Sequence, residues 1–242
     1  MSTYVLIHGA ASDAWYWHRV APLLEARGHT VVAPDLPSDD DTCGLAAYTD
    51  TVVRAVCDPH RRPKPLIVVA QSMGGFTAPL VADKIPVDLL VLLNAMIPLP
   101  RERLGGWWDR TGFEQARREI LEREGRASAS DGEPEFDAMR DFFHDVPEDV
   151  VRAAFDRGAR RQSSRPFEET WPLDAWPPVR TRVLFSRDDR FFPADFMRRA
   201  ARERLGIVPD EMPGGHLVAL SRPEELVERL EGMRTAELEA AA

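Results

Sequence analysis

Cysteine is scarce in this chain, which has only two among its 242 residues. Cys43 and Cys57 lack the spacing of metal ligands, and a single pair does not resemble the framework of a small disulfide-stabilised domain. We therefore expect two free thiols in a reducing compartment.

Long apolar runs are also missing, since no stretch approaches the length of a membrane-spanning helix. The first residues, Met1 to Ile7, have neither the positive charge nor the apolar length of a secretion signal. We therefore expect no targeting segment, no membrane association and a cytoplasmic location. The formal net charge of −9 disfavours nucleic acid as a partner. A small-molecule substrate, with the chain as a monomer or homodimer, is the expectation.

Cofactor motifs are absent from the sequence as well. It contains no phosphate-binding loop, no zinc-ligand spacing and no dinucleotide fingerprint, so we predict chemistry without a metal or an organic cofactor. Hydrophobic residues make up 44% of the chain, enough for a sizeable core. The length suits one α/β domain, with room for an inserted subdomain.

Short apolar runs alternate with longer amphipathic stretches, a pattern typical of a parallel sheet covered by helices. Six strands are predicted, at Thr3–Ile7, Thr30–Ala33, Leu66–Ala70, Leu89–Leu93, Arg182–Phe185 and Pro209–Met212. Helices are predicted at Tyr16–Arg27, at Leu45–Cys57, from just after Ser72 to Lys84, at Ala194–Arg204 and at Pro223–Arg234.

The stretch 98–178 breaks this alternation and contains no convincing strand. Its pattern predicts helices at Phe113–Glu124, Glu135–Phe143 and Glu148–Gln162, with Gly125–Pro134 as a mobile loop. An insertion after the fourth strand would lie over the sheet edge where α/β proteins bind ligands. We predict a helical cap at 98–178 on a core formed by 1–97 and 179–242; the alternative is a side domain away from the site.

The run Leu66–Gly75 has the layout of a nucleophile elbow, the sharp strand-to-helix turn that exposes a serine. An apolar strand leads into Ala70-Gln71-Ser72-Met73-Gly74, where alanine replaces the usual first glycine. Small residues are needed because the strand and the helix pack closely at a strained turn. The alternative is an ordinary strand–turn–helix with a serine near the helix start.

Three further features follow predicted strands. His8-Gly9-Ala10 follows the first, and the N–H groups of Ala10 and Met73 could together form an oxyanion hole. Asp188 and Asp189 follow the fifth, and either could orient a histidine. His216 follows Gly214-Gly215 after the last strand and is the candidate general base. The order serine, acid, histidine is that of one fold's catalytic triad.

Together these motifs resemble the α/β-hydrolase superfamily almost end to end. The stretches Val5–Ala10, Ala14–Trp17, Pro22–Glu25 and Gly28–Val31 resemble the plant methylesterase and hydroxynitrile lyase branch and its bacterial esterase relatives. The resemblance implies a mostly parallel sheet and a triad of Ser72, Asp189 and His216. It selects Asp189 because the family's acid lies four residues before the loop proline.

Departures from the branch bear on the reaction. Hydroxynitrile lyases have a threonine just after the first strand's histidine and a lysine near the site, whereas this chain has Gly9-Ala10 and only Lys64 and Lys84. The resemblance therefore favours a serine esterase, and the apolar pocket expected below suggests a small to medium, largely apolar ester, lactone or thioester as its substrate. Lyase, cyclase or carbon–carbon cleavage with the same triad is the alternative, and a catalytically silent ligand-binding protein is a third hypothesis.

The substrate pocket is expected to be largely apolar. Its candidate lining residues are Ala11, Trp15, Gln71, Trp107, Trp108, Phe143, Phe191 and Leu217. Of these, the pair Trp107-Trp108 is the strongest candidate for an indole that reaches the substrate, although aromatic residues also serve as ordinary core. We expect at least half of the aromatic residues near the predicted mouth to pack in the core or the cap.

Overall fold

A computed structural model describes residues 1–57, 65–123, 125, 136–158 and 160–239. It contains six strands: β1 (Thr3–Ile7), β2 (Thr30–Val32), β3 (Leu66–Gln71), β4 (Leu89–Leu93), β5 (Thr181–Ser186) and β6 (Asp210–Met212). All six coincide with the predicted strands to within a residue at either end. Lys64 and nearly all of the predicted loop Gly125–Pro134 lie outside the described residues.

The strands form one sheet in the order β2-β1-β3-β4-β5-β6, and every neighbouring pair is parallel. The chain runs outward from β1 to β2 and then crosses to the other side of β1 to form β3. This reversal creates a crevice at the carboxyl ends of β1 and β3, where open α/β sheets bind ligands. Both His8-Gly9 and Ser72 lie at that point.

Alternate residues of the central strands supply two apolar layers, one on each face of the sheet. Val5, Val68 and Leu90 belong to one layer, and Leu6, Val69 and Val91 belong to the other; all six are fully buried. Because both faces are covered by helices, the strands are continuous apolar runs without polar alternation.

The helices outside the insertion are α1 (Ala21–Ala26), α2 (Leu45–Val56), α3 (Gly74–Lys84), α9 (Ala194–Leu205), α10 (Val218–Ser221) and α11 (Pro223–Glu239). The predicted helix Tyr16–Arg27 is wrong in its first half, because a 3₁₀ turn at Ala14–Trp17 precedes a short α1. The carboxylate of Asp13 caps that turn by accepting the Trp15 N–H, and Pro22 then starts α1. The last helix continues beyond its predicted end at Arg234.

Between β4 and β5 the described residues form short helices: α4 (Trp107–Thr111), α5 (Phe113–Arg123), α6 (Ala138–Asp141), α7 (Glu148–Asp156) and α8 (Arg165–Glu168). The helix predicted to end at Gln162 ends at Asp156, and Gly158 follows with a φ of 79°. Glu124 and Glu135, at the ends of two other predicted helices, lie outside the described residues. Within the described part of the chain, no helix has the length and apolar character needed to cross a membrane.

Candidate active site

Ser72 lies directly after β3 with a φ of 51°, in the left-handed region that non-glycine residues rarely adopt. Its carbonyl accepts the N–H groups of Gly75, at 3.0 Å, and Met96, at 2.9 Å, and its own N–H donates to Leu93 at 3.2 Å. These bonds hold the serine in a conformation that would cost free energy in an unsupported loop. This is the geometry of a nucleophile elbow.

Neighbouring atoms approach the backbone so closely around this turn that only glycine fits at two positions. A Cβ on Gly9 would lie 2.9 Å from the Ser72 Cβ and would collide with the Gln71 side-chain oxygen, and one on Gly75 would collide with the Met96 carbonyl oxygen. Ala70, by contrast, pairs with Ile7 inside the sheet and is fully buried in the core. Its methyl is accommodated one step before the tight turn.

The structure brings Ser72, His216 and Asp189 together. His216 Nε2 lies 3.2 Å from Ser72 Oγ, and His216 Nδ1 lies 2.7 Å from Asp189 Oδ2. Since a carboxylate only accepts, Nδ1 carries the imidazole hydrogen and Nε2 is free to accept the serine proton. All three residues are at most 9% exposed, so the pair of hydrogen bonds is shielded from water.

The neighbouring aspartates differ in surroundings. The second carboxylate oxygen of Asp189 accepts the N–H groups of Phe191 (2.7 Å) and Phe192 (2.9 Å), which fix its orientation. Asp188 is half-exposed and accepts the Gly214 N–H at 3.0 Å. Of the two, therefore, Asp189 faces the histidine and Asp188 shapes the loop before it.

The backbone N–H groups of Ala10 and Met73 have no hydrogen-bond acceptor within the described ranges. Beside them, His8 donates from Nδ1 to the Gly9 carbonyl at 2.8 Å and accepts the Leu36 N–H at Nε2 at 3.0 Å. Burial lowers the pKa of His8, because desolvation disfavours the charged ring. A neutral His8 thus ties together the loops that follow β1 and β2.

Asn94 is a site-building residue that the sequence reasoning missed. It follows β4 with a φ of 45°, and its side chain joins two loops: the amide nitrogen donates to Ser186 Oγ at 2.9 Å and to the His216 carbonyl at 3.3 Å. Gln71 also lies 3.4 Å from that carbonyl through its amide nitrogen. A polar residue directly after a buried apolar strand was the available signal.

The inserted segment contacts the histidine directly. The ring of Phe142 stacks on the His216 imidazole at 4.8 Å with an interplanar angle of 17°, and the Asp145 carboxylate accepts the Gly215 N–H at 2.7 Å. Phe191 and Phe192 approach the same imidazole edge-on, each at 5.2 Å. The inserted segment therefore contacts His216, and three phenyl rings surround the imidazole.

The predicted pocket residues do not lie together in the structure. Gln71 and Phe191 lie beside His216, and Trp108 packs against Phe191 one layer further out. Trp107 is 1% exposed and donates its indole N–H to the Ile97 carbonyl, so assigning it to the pocket mouth was wrong.

The other predicted lining residues contact different parts of the chain. Trp15 stacks on His18 under Arg157, while Phe143 and Leu217 pack against the second apolar layer. The exposed Ala11 donates its N–H to the Gln162 side chain. Residue type alone does not tell whether such a side chain lines a pocket, stacks on another ring or packs in the core.

A narrow crevice lies beside Met73, the residue that follows Ser72. Its lining is His8, Gly9, Leu36, Ser38, Tyr48, Met73, Gly74, Thr77 and Gln162. None of the predicted pocket residues is among them. The loop after β2, helix α2 and helix α3 supply most of its lining. These elements are far apart in the sequence, so the sequence alone does not show that they meet here.

Comparison with known proteins gives a consistent picture. Residues 4–229 match the model of a family described as alpha/beta hydrolase. The chain is 27% identical over 256 residues to an alpha-hydroxynitrile lyase of Arabidopsis thaliana, covering 96% of both chains. It is 29% identical over 131 residues to methylesterase 3 of the same plant, covering 49% of this chain and 48% of the relative. The crystal structure of polyneuridine aldehyde esterase superimposes with a TM-score of 0.74 at 21% identity, covering 97% of this chain and 99% of that one.

Proposed function

Because this chain belongs to the alpha/beta hydrolase family, we propose that it is a serine hydrolase acting on carboxylic esters. Its substrate would be a small to medium ester, lactone or thioester, cleaved through an acyl-serine intermediate. One observation carries the proposal: Ser72, His216 and Asp189 form a buried, hydrogen-bonded chain beside two uncommitted N–H groups. The esterases among its relatives support the same reaction class.

Acylation follows from the geometry of the triad. His216 Nε2 takes the hydroxyl proton as Ser72 Oγ attacks the carbonyl carbon, and Asp189 stabilises the imidazolium that forms. The carbonyl oxygen becomes negatively charged between the N–H groups of Ala10 and Met73. In comparable sites the loss of one such donor costs about 3–4 kcal/mol of transition-state stabilisation.

Collapse of the tetrahedral intermediate breaks the bond to the leaving group, which receives its proton from His216 Nε2. The leaving group must therefore lie beside this imidazole, among the rings of Phe142, Phe191 and Phe192. An apolar or aromatic alcohol fits these surroundings. Water then enters from the same side, loses a proton to His216 and releases the acid from Ser72.

Steady-state hydrolysis of 4-nitrophenyl esters tests the proposal. We expect turnover by the wild-type protein and a loss of at least about 10³-fold in kcat for Ser72→Ala, since the covalent route then disappears. Ser164→Ala is the matched control, because that serine is exposed and bonds Glu168 in α8. Hydrolysis that survives in Ser72→Ala, or no hydrolysis of any ester in a chemically varied panel, would overturn the proposal.

A lyase or carbon–carbon hydrolase with the same triad is the second candidate, favoured by the near full-length similarity to a hydroxynitrile lyase. Against it, Lys84 pairs with Asp50 at 2.6 Å, at the end of α3 furthest from Ser72. Lys64 lies outside the described residues. Rapid acylation of Ser72 by an activated ester without subsequent turnover would favour this second candidate over the esterase.

A further inference from the structure

Two buried hydroxyl groups line the crevice beside Met73 without a hydrogen-bond partner. Ser38 and Thr77 are each 1% exposed, and neither side-chain oxygen has a partner among the residues the structure describes. Burying an uncompensated hydroxyl costs about 1–3 kcal/mol in proteins. Two such groups in one crevice are available to hydrogen-bond a molecule bound there.

The behaviour of Thr77 is unusual for a threonine within a helix. The helical residues Thr49, Thr51 and Thr111 each donate their hydroxyl to the carbonyl four residues earlier, at 2.7, 2.9 and 2.8 Å. This local bond is the common way to satisfy such a group. Thr77 in α3 makes no such bond. Its hydroxyl remains available to a ligand.

Tyr48 adds a third donor to the crevice. Its hydroxyl oxygen accepts the Gln162 amide N–H at 3.1 Å, and its own hydrogen has no acceptor in the described part of the chain. Burial raises the pKa of Tyr48, so the phenol stays protonated and able to donate. Ser38, Thr77 and Tyr48 therefore offer donor hydrogens that suit an oxygen acceptor.

The position of the crevice decides which part of an ester enters it. Its lining includes Gly9, Met73 and Gly74, beside the oxyanion N–H groups, and excludes His216 and the three phenyl rings. The leaving group must face His216, as the proton transfer requires. The acyl group therefore points away from the imidazole, towards the crevice.

Gln162 is one of the residues that line this crevice. Its side-chain oxygen accepts the Ala11 N–H at 3.2 Å, and its amide nitrogen donates to the Tyr48 hydroxyl and to the Ser163 carbonyl. An acyl group that displaced the Gln162 amide would free the Ala11 N–H, which Gln162 Oε1 now accepts, and an oxygen on that group would accept it instead.

We infer that the crevice is an acyl subsite selective for substrates whose acyl chain carries an oxygen acceptor, such as a keto group. This inference rests on the proposed ester hydrolysis and names its substrate class. The predicted pocket was largely apolar; on this assignment only the leaving-group side is apolar, and the acyl side donates hydrogen bonds from Ser38, Thr77 and Tyr48.

The experiment compares two esters of equal length and identical leaving group, 4-nitrophenyl 4-oxopentanoate and 4-nitrophenyl pentanoate. Calorimetry with Ser72→Ala protein gives their dissociation constants without hydrolysis. We expect the oxo ester to bind about tenfold more tightly. Adding Thr77→Val or Ser38→Ala to this protein is expected to lower the preference about threefold to tenfold, the range for losing one uncharged hydrogen bond.

Matched controls separate this effect from general loss of a hydroxyl. Ser2→Ala removes another buried, unpartnered hydroxyl, just before β1, and Thr49→Val removes a helical threonine hydroxyl outside the crevice. Neither is expected to change the preference. Because Thr77→Val removes an unsatisfied group and keeps the shape, melting temperature is expected to be retained or raised.

Equal binding of the two esters, or a preference unaffected by both crevice variants, would overturn the acyl subsite. Hydrolysis of both esters by the wild-type protein would still stand in that case. Conversely, a preference that Thr77→Val and Ser38→Ala reduce, in a wild-type protein that hydrolyses no ester of the wider panel, would support the subsite and overturn the proposed hydrolase.

Discussion

Asp189→Asn is the substitution whose effect follows most directly from the site geometry. One carboxylate oxygen accepts two N–H groups, from Phe191 and Phe192, and the other accepts the Nδ1 hydrogen of His216. An amide nitrogen cannot accept, so the asparagine oxygen must keep the pair of backbone bonds. The new NH₂ group then points at His216 Nδ1.

That orientation imposes the wrong tautomer on His216. Nδ1 must accept from the amide, so Nε2 carries the hydrogen and cannot take the proton of Ser72 Oγ, 3.2 Å away. In other serine-histidine-aspartate triads this change lowers kcat by about 10⁴-fold, which corresponds to about 5.4 kcal/mol at 1.36 kcal/mol per tenfold. We expect a loss of that size in kcat with little change in KM.

The assay is steady-state hydrolysis of a 4-nitrophenyl ester, with circular dichroism to verify folding. Asp188→Asn is the matched control, since its oxygen can still accept the Gly214 N–H, and we expect it to change kcat less than about threefold. A loss below tenfold for folded Asp189→Asn, or a larger loss for Asp188→Asn, would refute the assignment of the acid.

Three further outcomes are expected. Gly9→Ala places a methyl 2.9 Å from the Ser72 Cβ; we expect kcat to fall by about 10²-fold in a folded protein, and unchanged kcat would contradict this crowding. Glu102→Ala strands the buried Arg204 guanidinium, bonded at 2.6 and 3.0 Å, and is expected to reduce the urea unfolding free energy by about 3–5 kcal/mol. Folding lowers the pKa of His8, so below about pH 6.5 the unfolded chain binds a proton that the folded chain does not. The free energy of unfolding therefore falls as the pH drops below about 6.5, by up to about 1.4 kcal/mol per pH unit. Urea midpoints from pH 7.5 to 5 measure this slope, and an equal slope in a folded His8→Asn variant would contradict it.

The sheet could be predicted because strands buried on both faces are continuous apolar runs. Leu66–Ala70 and Leu89–Leu93 both appear as strands at the predicted positions. The triad partners could be proposed because the loops after such strands, which carry Ser72, Asp189 and His216, meet at one edge of the sheet, and because the resemblance selects Asp189 over Asp188. Whether those side chains catalyse a reaction stays a prediction that the experiments above address.

The features that sequence reasoning missed depend on tertiary packing. Tyr16–Arg27 has helical spacing, yet Asp13 caps a separate 3₁₀ turn before Pro22. Trp107 and Phe142 are both aromatic residues of the insertion, but one fills the core and the other stacks on His216. Their difference arises from contacts between distant segments, which residue type and spacing do not encode.

Covalent labelling tests the central claim most directly. A fluorophosphonate reacts with a serine hydroxyl only where a neighbouring base activates it. We predict one adduct per chain, located by peptide mass mapping on Ser72, abolished in Ser72→Ala and strongly slowed in His216→Ala. Absence of an adduct on the folded wild-type protein, or an adduct on another residue, would contradict a catalytic role for Ser72.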